Sequence, residues 1–380
     1  MADTYDVIVV GLGAMGSATL HRLAHRGFRV LGIEQFVPGH ANGSSHGKSR
    51  IIREAYFEDP RYVPLVQRAY ECWRALEAES GVEIFRQTGG LMLGPPESDV
   101  VSGALLSARL HNLPHEVIAA DEVRRRYPAF RPGPSDIGVI EPRAGMLAPE
   151  KAITAFVEVA QRSGRATIRS NEALLSWRVV GEGISVTTTH GTYAGDRLVL
   201  TVGAWSGTIL RELGVPFVAQ RNVLYWFEPA ANPQFFTPDR FPVFLQELGP
   251  GLTSYGFPDT GDGVKIALHH FGESVDPDAL RRTVNDDEIA FIRSLLAEHM
   301  PDANGTLRDA AACMYTNVPD NHFVIDWHPA HSNVVIASPC SGHGFKFASA
   351  LGEVLASMVT GTRVDFDTSL FSLARFERAR

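Results

Sequence analysis

Three glycines near the start of the chain, Gly11, Gly13 and Gly16, have the spacing G-x-G-x-x-G. In such a turn the first glycine allows a sharp bend, the second lets a pyrophosphate approach the backbone, and the third lets a helix pack closely on a sheet. Glu34 follows near the ~20-residue spacing at which an acid meets a ribose hydroxyl. The pattern predicts a dinucleotide site and disfavours NADP, whereas NAD and FAD both remain open.

A second candidate for chemistry is Cys313, in the segment AACMYTNVPDNHF. The chain has three cysteines, widely spaced, which do not form a disulfide framework. By residue type alone, a single cysteine is most often a small buried hydrophobe. We make the same interpretation for Cys72, which lies near the apolar face of a predicted helix.

Patterns that ligate metals are sparse, since the sequence has no CxxC pair and no HExxH motif. His21 and His25 are four residues apart on a predicted helix, and His328 and His331 are three residues apart. With no third ligand in view, we predict surface histidines at both places and no metal site.

The whole composition is that of an ordinary globular protein, with 44% hydrophobic and 21% charged residues among 380 and a net charge of −8. Nothing in this balance favours nucleic acid or an anionic membrane as a partner. No apolar run approaches the ~18 residues that span a bilayer, and the acidic start MADTYD differs from a signal peptide. We therefore expect a cytoplasmic protein.

The elements around the glycine turn follow from the neighbouring residues. The apolar run Val7 to Val10 predicts a buried parallel strand, and the residues after Gly16 predict a helix that ends at Gly27. The segment RVLGIE then predicts a second parallel strand, which brings Glu34 to its end.

The rest of the chain alternates between segments typical of a parallel α/β domain and segments typical of an antiparallel sheet. A long glycine- and serine-rich loop, FVPGHANGSSHGKSRIIREAY, precedes a predicted helix over residues 61–79. Residues 215–315 are rich in strand-like segments of antiparallel type. The segments PEKAITAFVEVAQRSG, TVGAW and NVVIAS return to a helix and parallel strands. We predict a discontinuous dinucleotide domain of residues 1–82, 146–214 and 316–380, and a substrate domain of residues 83–145 and 215–315.

A second glycine turn, SGHG, contains Gly342, His343 and Gly344 and precedes the last long helix. A helix start would suit the electron-rich end of a reduced flavin. An ordinary glycine turn explains the same residues equally well.

Six segments in order resemble the monomeric sarcosine oxidase family, which includes N-methyltryptophan oxidase, within the D-amino-acid oxidase group. They are GLGAMGS, HGKSRIIREAY, TVGAW, YGFP followed by GVKIALHHFG, AACMYTNVPDNHFVID and SGHGFKFASALGE. The resemblance covers essentially the whole chain. It implies an α/β (α+β two-domain) fold, with a Rossmann-type FAD-binding domain and an inserted antiparallel-rich substrate domain. It also implies FAD bound covalently, through its 8α carbon, to Cys313.

The resemblance further assigns roles to single residues. Arg53 and Lys346 match the pair that binds the substrate carboxylate, and a guanidinium fork suits a carboxylate. Ser49 and Arg50 match positions beside the flavin ring, and His343 matches the flavin-side loop. From residue type alone, Arg53 would be a surface cation.

Three more residues match groups that act on the amine or on oxygen. His269 and Tyr315 match polar groups near the substrate nitrogen, which must react as the free amine. Lys265 matches the lysine that stabilises charge on oxygen. Without the resemblance, the strand-like alternation around Lys265 predicts a solvent-facing side chain, and Tyr315 would be a core residue.

The chain departs from the family pattern at a few positions. Lys48 and Ser49 stand where the family often has an acid and a threonine, and Glu54 stands where it often has a histidine. The segment SPC places Cys340 near the expected flavin. These changes do not affect the predicted cofactor, but they leave the exact substrate open.

The reaction that the resemblance implies is oxidation of a secondary N-methyl amino acid by a monomeric enzyme. Sarcosine, oxygen and water would give glycine, formaldehyde and hydrogen peroxide. N-methyl-L-tryptophan or a cyclic secondary amino acid such as pipecolate or proline is the alternative substrate. A flavin dehydrogenase that passes electrons to a protein partner, or a flavin-binding protein without catalysis, is the alternative of another class.

Overall fold

The computed structural model describes residues 4–377, which form nineteen strands and nine α-helices. The strands are β1 (Thr4–Val10), β2 (Val30–Ile33), β3 (Arg50–Ile52), β4 (Phe85–Gln87), β5 (Gly90–Gly94), β6 (Glu116–Ala119), β7 (Ile137–Glu141), β8 (Gly145–Leu147), β9 (Ala166–Arg169), β10 (Leu174–Val180), β11 (Gly183–Thr188), β12 (Thr192–Leu200), β13 (Val218–Phe227), β14 (Val243–Gly249), β15 (Leu252–Phe257), β16 (Val264–His269), β17 (Leu307–Asn317), β18 (Val324–His328) and β19 (His331–Ser338). The helices are α1 (Ala14–His25), α2 (Val63–Ser80), α3 (Asp99–Leu110), α4 (Ala120–Arg126), α5 (Pro149–Arg162), α6 (Ser206–Ile209), α7 (Asp286–His299), α8 (Ala348–Thr360) and α9 (Ala374–Glu377).

The first large sheet has a parallel centre in the order β9, β2, β1, β12, β19. Its strands are continuous apolar runs such as Val7–Val10, as expected where helices or other elements cover both faces. Helix α1 packs against α5 and α8 on one face. A Cβ at Gly352 would lie 2.7 Å from the carbonyl oxygen of Ala18, so the missing side chain lets α8 approach α1 closely.

The second large sheet has the order β17, β13, β16, β15, β14, β5, β7, β6. All neighbours are antiparallel except β14 and β5. Its core contains a cluster of aromatic rings, among them Phe130, Phe241 and Phe244. This sheet contains residues of the ranges 90–141 and 218–317, whereas the first sheet contains residues from the start, middle and end of the chain. The division into two domains at the boundaries above stays a prediction.

A small third sheet, β3–β8–β4, contains the segment that begins at Arg50. Its strand β3 leads directly into Arg53. The predicted helix over residues 61–79 is α2, and it is preceded by a 3₁₀ turn over Pro60–Tyr62.

Several single-residue expectations need correction. His21 and His328 are buried rather than on the surface, because α2 covers the first and the loop before β13 together with Trp177 covers the second. Lys265 is also buried, so the alternation that predicts a solvent-facing side chain is wrong. Cys72 is buried, as predicted. Within residues 4–377, no helix is both long enough and apolar enough to cross a membrane.

Candidate active site

A cavity of about 530 Å³ lies between the two large sheets, within the usual range for small-molecule sites of ~300–1,000 Å³. It brings together twelve of the residues predicted from sequence: Gly11, Gly13, Glu34, Arg50, Arg53, His269, Cys313, Tyr315, Gly342, His343, Gly344 and Lys346. The other three, Gly16, Ser49 and Lys265, stand just behind its wall.

The glycine turn forms one end of the cavity. Gly11 has φ +86°, and a Cβ there would lie 2.5 Å from the carbonyl oxygen of Thr201. A Cβ at Gly16 would lie 1.8 Å from the carbonyl oxygen of Gly11, so only glycine lets α1 start this close to β1. Gly13 is the N-cap of α1 and provides no side-chain cap. The first amides of the helix are therefore available to a phosphate.

Glu34 stands beside this turn at the end of β2. Its carboxylate accepts hydrogen bonds from the backbone amides of Leu12 at 2.7 Å and Phe36 at 3.0 Å, and the imidazole of His40 lies 3.3 Å away. The acid is thus held in place before any ligand arrives. It lines the cavity wall, and the ribose contact stays a prediction.

The other end of the cavity lies on the second sheet, where strand geometry groups the polar residues. Cys313 and Tyr315 are two residues apart on β17, and Lys265 and His269 are four apart on β16. Side chains at even spacing share one face of a strand. Cys313 pairs with Asn222 and Lys265 with Trp226 on the shared neighbour β13, and these two partners are four residues apart. The four side chains therefore project from one face of one sheet.

Cys313 lies in a strongly cationic environment. Its Sγ is 3.6 Å from a guanidinium nitrogen of Arg50 and 3.6 Å from the carbonyl oxygen of Ser44. Burial alone raises the pKa of the thiol, but the proximity of His46, Arg50 and Lys265 lowers it to about 7. A large share of this buried cysteine is therefore thiolate near neutral pH, the form in which a cysteine is a nucleophile.

Lys265 is buried behind Ser49. Its Nζ donates to the carbonyl oxygens of Gly47 at 2.6 Å and Ser49 at 2.9 Å, and to the Ser49 hydroxyl at 3.2 Å. Burial lowers the pKa of Lys265, and the neighbouring Arg50 lowers it further. Three oxygen acceptors nevertheless surround the nitrogen, one for each N–H group of an ammonium. The geometry favours the cation.

Two further cations, Arg53 and Lys346, converge at one side of the cavity. Arg53 donates to Glu58 at 2.6 Å and to the carbonyl oxygen of Ala55, and both cations contact the ring of Tyr56. Burial lowers the pKa of Lys346 to about 7, with Arg53 adding to the effect. Any carboxylate that binds Arg53 must share it with Glu58 or displace that residue.

Glu58 is the charged group that balances this cluster. Burial alone raises its pKa, but Arg53, His343 and Lys346 together lower it to about 2. The residue is therefore ionised throughout the neutral range. One protein carboxylate thus faces two cations, which leaves positive charge for an anionic ligand when Lys346 is protonated.

The remaining polar groups of this end are neutral. Burial lowers the pKa of His269 well below its usual value and lowers that of His343 to about 4. His269 Nδ1 lies 3.3 Å from the hydroxyl of Tyr315. A Cβ at Gly342, where φ is +76°, would lie 2.6 Å from the ring of Tyr315, so the SGHG turn closes against these two residues.

Sequence reasoning missed Glu58 and Tyr255, and it assigned no role to His46. Tyr255 accepts a hydrogen bond from Tyr315 at 3.4 Å and lines the cavity. Its segment SYGFP and the spacing of Glu58, five residues after Arg53, were visible in the sequence. The sequence pattern did not show that β15 pairs with β16, or that a turn brings Glu58 back to Arg53.

The departures from the family pattern have different outcomes. Lys48 points to the surface, where it pairs with Asp262 at 2.9 Å, and Glu54 faces Arg143 at 3.2 Å; neither lines the cavity. Cys340 does line it.

These residues fit FAD. The uncapped start of α1 and the acid Glu34 suit a pyrophosphate and a ribose, and the same cavity continues to a nucleophilic cysteine and a cluster of cations. Residues 11–34 would hold the dinucleotide, and residues on β16 and β17 with the SGHG turn would surround the ring.

Comparisons with known proteins agree with this assignment. Residues 6–358 match the model of the DAO family, described as FAD dependent oxidoreductase. The chain is 44% identical over 367 residues to a monomeric sarcosine oxidase of Streptomyces avermitilis, which covers 95% of each chain. It is 36% identical over 376 residues to an N-methyl-L-tryptophan oxidase of Yersinia pestis, which covers 98% of this chain and 99% of the relative.

Solved structures share the fold at lower identity. NikD, an amino acid oxidase of nikkomycin biosynthesis, superposes with a TM-score of 0.85 at 24% identity and covers 97% of each chain. An L-proline dehydrogenase from P. horikoshii superposes with a TM-score of 0.86 at 22% identity over the whole of both chains. The resemblance drawn from the six segments, and the fold it implies, are confirmed.

Proposed function

Because the chain belongs to the DAO family of FAD-dependent oxidoreductases, we propose that it is an oxidase of small N-methyl amino acids, with sarcosine as the first substrate. The products are glycine, formaldehyde and hydrogen peroxide. The N-methyl amino acid relatives support the substrate class, and oxygen is the acceptor we propose.

The observation that carries this proposal is the convergence of Arg53 and Lys346 on one cavity that also holds His269 and Tyr315. The two cations bind the carboxylate of the amino acid, with the guanidinium fork setting its orientation. The substrate carboxylate replaces Glu58 as a partner of Arg53, or shares the guanidinium with it.

The amine end of the substrate then faces neutral groups. Burial keeps His269 uncharged at neutral pH, so it accepts a hydrogen bond from the N–H of the substrate. The hydroxyl of Tyr315, 3.3 Å from Nδ1, fixes the imidazole. Bound FAD would supply the two-electron oxidation of the N-methyl group.

We assign to Cys313 the covalent link to FAD. Its lowered thiol pKa and its place beside Arg50 support this role. After acid precipitation of the protein, the yellow colour should stay with the pellet, and Cys313→Ala should release it. Cys340→Ala is the matched control, because Cys340 lines the same cavity but burial raises the pKa of its thiol. Colour that leaves with Cys340→Ala and stays with Cys313→Ala would move the link to Cys340.

The decisive experiment is a steady-state screen for peroxide release. It compares sarcosine, N-methylalanine, N-methyl-L-tryptophan, proline and pipecolate, with dimethylamine as a control that lacks the carboxylate. We expect sarcosine and N-methylalanine to turn over and dimethylamine not to. Absence of both peroxide and flavin bleaching with every amino acid would refute the proposal.

Two results would redirect it. Flavin bleaching without peroxide would favour the dehydrogenase that uses a protein acceptor. Efficient oxidation of dimethylamine would remove the carboxylate site from the mechanism. We also expect a monomer in the cytoplasm, and sedimentation of the purified protein tests the first part.

A further inference from the structure

A cluster of three ligating side chains lies outside the active cavity, between the C-terminal halves of α1 and α2. His21 and His25 are one turn apart on α1, and Glu79 comes from the last turn of α2. His21 Nε2 lies 2.9 Å from one Glu79 oxygen, and His25 Nδ1 lies 3.3 Å from the other. We propose that these three residues bind a divalent zinc-class metal ion. Glu79 is the third ligand that the sequence alone did not reveal.

The spacing of the ligand atoms supports coordination. Zinc takes His nitrogen and carboxylate oxygen at ~2.0–2.2 Å in a tetrahedron, which places neighbouring ligand atoms ~3.3 Å apart. In this cluster the ligand atoms all lie within 4.8 Å of one another. The ligand atoms therefore lie close to coordination spacing, and α1 and α2 bring the three side chains together. Two histidines and one carboxylate are a donor set that suits zinc.

The state of His21 also suits a metal. It is buried at the contact between α1 and Glu79, and a metal would bind its imidazole in the neutral form. Its Nδ1 has no hydrogen-bond partner among the described residues. Coordination through Nε2 puts the proton on Nδ1, which breaks no other hydrogen bond but leaves that buried N–H without the acceptor that usually orients a metal-bound histidine.

The surroundings set limits on the site. Arg162 and Arg165 line the same surface cavity, and Arg162 donates to the backbone oxygen of Glu79 at 3.5 Å. These cations weaken the binding of a divalent ion. The cavity is open to solvent, so the fourth coordination position belongs to water. None of the three ligands lines the active cavity, which makes the role structural: the ion ties α2 to the helix whose other end forms the glycine turn.

The test uses the flavin-loaded enzyme without an affinity tag, stripped with a chelator and titrated with zinc. We expect one ion per chain and a melting temperature that rises with the logarithm of free zinc. His25→Gln should weaken binding by more than about tenfold, since even indirect partners of a metal ligand are worth about 10–100-fold. His25 is exposed, so this variant should fold. His190→Gln, at an exposed histidine elsewhere, is the control and should bind as the parent does.

X-ray absorption at the zinc edge then identifies the ligands. Nitrogen and oxygen at ~2.0–2.2 Å with no sulfur support the site, whereas sulfur at ~2.3 Å would assign the ion to a cysteine and overturn the proposal. Equal zinc affinity in the parent, His25→Gln and Glu79→Gln would overturn it as well. Neither readout depends on turnover, so the metal site is tested independently of the proposed oxidase activity.

Discussion

The net charge around Arg50 and Cys313 changes if the cysteine carries the flavin. As a free thiolate, Cys313 neutralises part of the positive charge of Arg50 and Lys265. As a thioether it is neutral, and Arg50 at the cavity wall and Lys265 behind it then lack that partner. The proposed link would therefore also raise the positive potential near the flavin ring, where reduction places negative charge.

Lys265→Met is the sharpest test of this potential. Methionine has a similar length and no charge, and we expect reoxidation of the reduced enzyme by oxygen to slow by about 10²–10³, the cost of removing one preorganised electrostatic partner. Anaerobic reduction by sarcosine should change much less, because Lys265 lies behind Ser49 and away from Arg53 and Lys346. Stopped-flow absorbance separates the two half-reactions.

The control for this variant is Lys265→Arg, which keeps the charge and should restore part of the oxygen reaction. Oxygen reactivity that is unchanged in Lys265→Met would contradict the role and favour a different electron acceptor.

At the scale of elements, β7 of the second sheet fixes the segment that carries Arg53. Glu141, the last residue of β7, accepts hydrogen bonds from the backbone amides of Glu54 at 2.6 Å and Ala55 at 2.8 Å. Ser107 of α3 donates to the carbonyl oxygen of Tyr56 in the same segment. Two elements far apart in sequence thus hold the residues after β3, and with them the direction of Arg53.

Glu141→Gln should weaken the hydrogen bonds that hold the Glu54 and Ala55 amides. One of the two amides would face the NH₂ group of glutamine instead of an oxygen, and an unsatisfied buried donor costs about 1–3 kcal/mol. We expect a higher KM for sarcosine with a smaller change in kcat, because the position of Arg53 is affected and the oxidation chemistry is not. Steady-state kinetics measures the split, and an equal fall of kcat with unchanged KM would contradict a role in positioning.

The same residue makes a pH-dependent contribution to stability. Burial raises the pKa of Glu141 to about 7, although the two amide donors lower it and oppose the burial. A carboxyl whose pKa is higher in the folded protein than in the unfolded chain stabilises the fold fully below the unfolded value of ~4.5, and the contribution is lost as pH rises through about 7. The loss amounts to about 3 kcal/mol.

This predicts how the parent and Glu141→Gln diverge in urea unfolding. The stability of the parent relative to the variant should fall by up to about 3 kcal/mol between pH 4.5 and pH 8. A difference that stays constant over this range would show that Glu141 titrates as an ordinary carboxyl.

At the scale of the whole molecule, the sequence predicts the glycine turn, its flanking elements and twelve of the residues that line the cavity. The motif works because a local turn, a helix start and an acid are all set by nearby residues. Glu58 and Glu141 escape prediction because their roles depend on a turn and on a strand pairing that bring distant segments together. The burial of His21 and Lys265 escapes it for the same reason, since periodicity cannot tell which face another element covers.

The cavity between the two sheets leads to a final prediction about their coupling. The glycine turn belongs to the first sheet, and Cys313 and His269 belong to the second, so FAD should stabilise both together. In Cys313→Ala stripped of flavin, FAD at 100 times its dissociation constant should add about 2.7 kcal/mol to the free energy of unfolding, or about 100-fold in hydrogen-exchange protection. Peptides over Thr4–Val10 and Val218–Phe227 should gain this protection alike.

ADP, which carries only the nucleotide and pyrophosphate end, is the matched control and should protect mainly the first of these two peptides. Protection by FAD that stays confined to the first sheet would show that the second sheet folds independently of the cofactor.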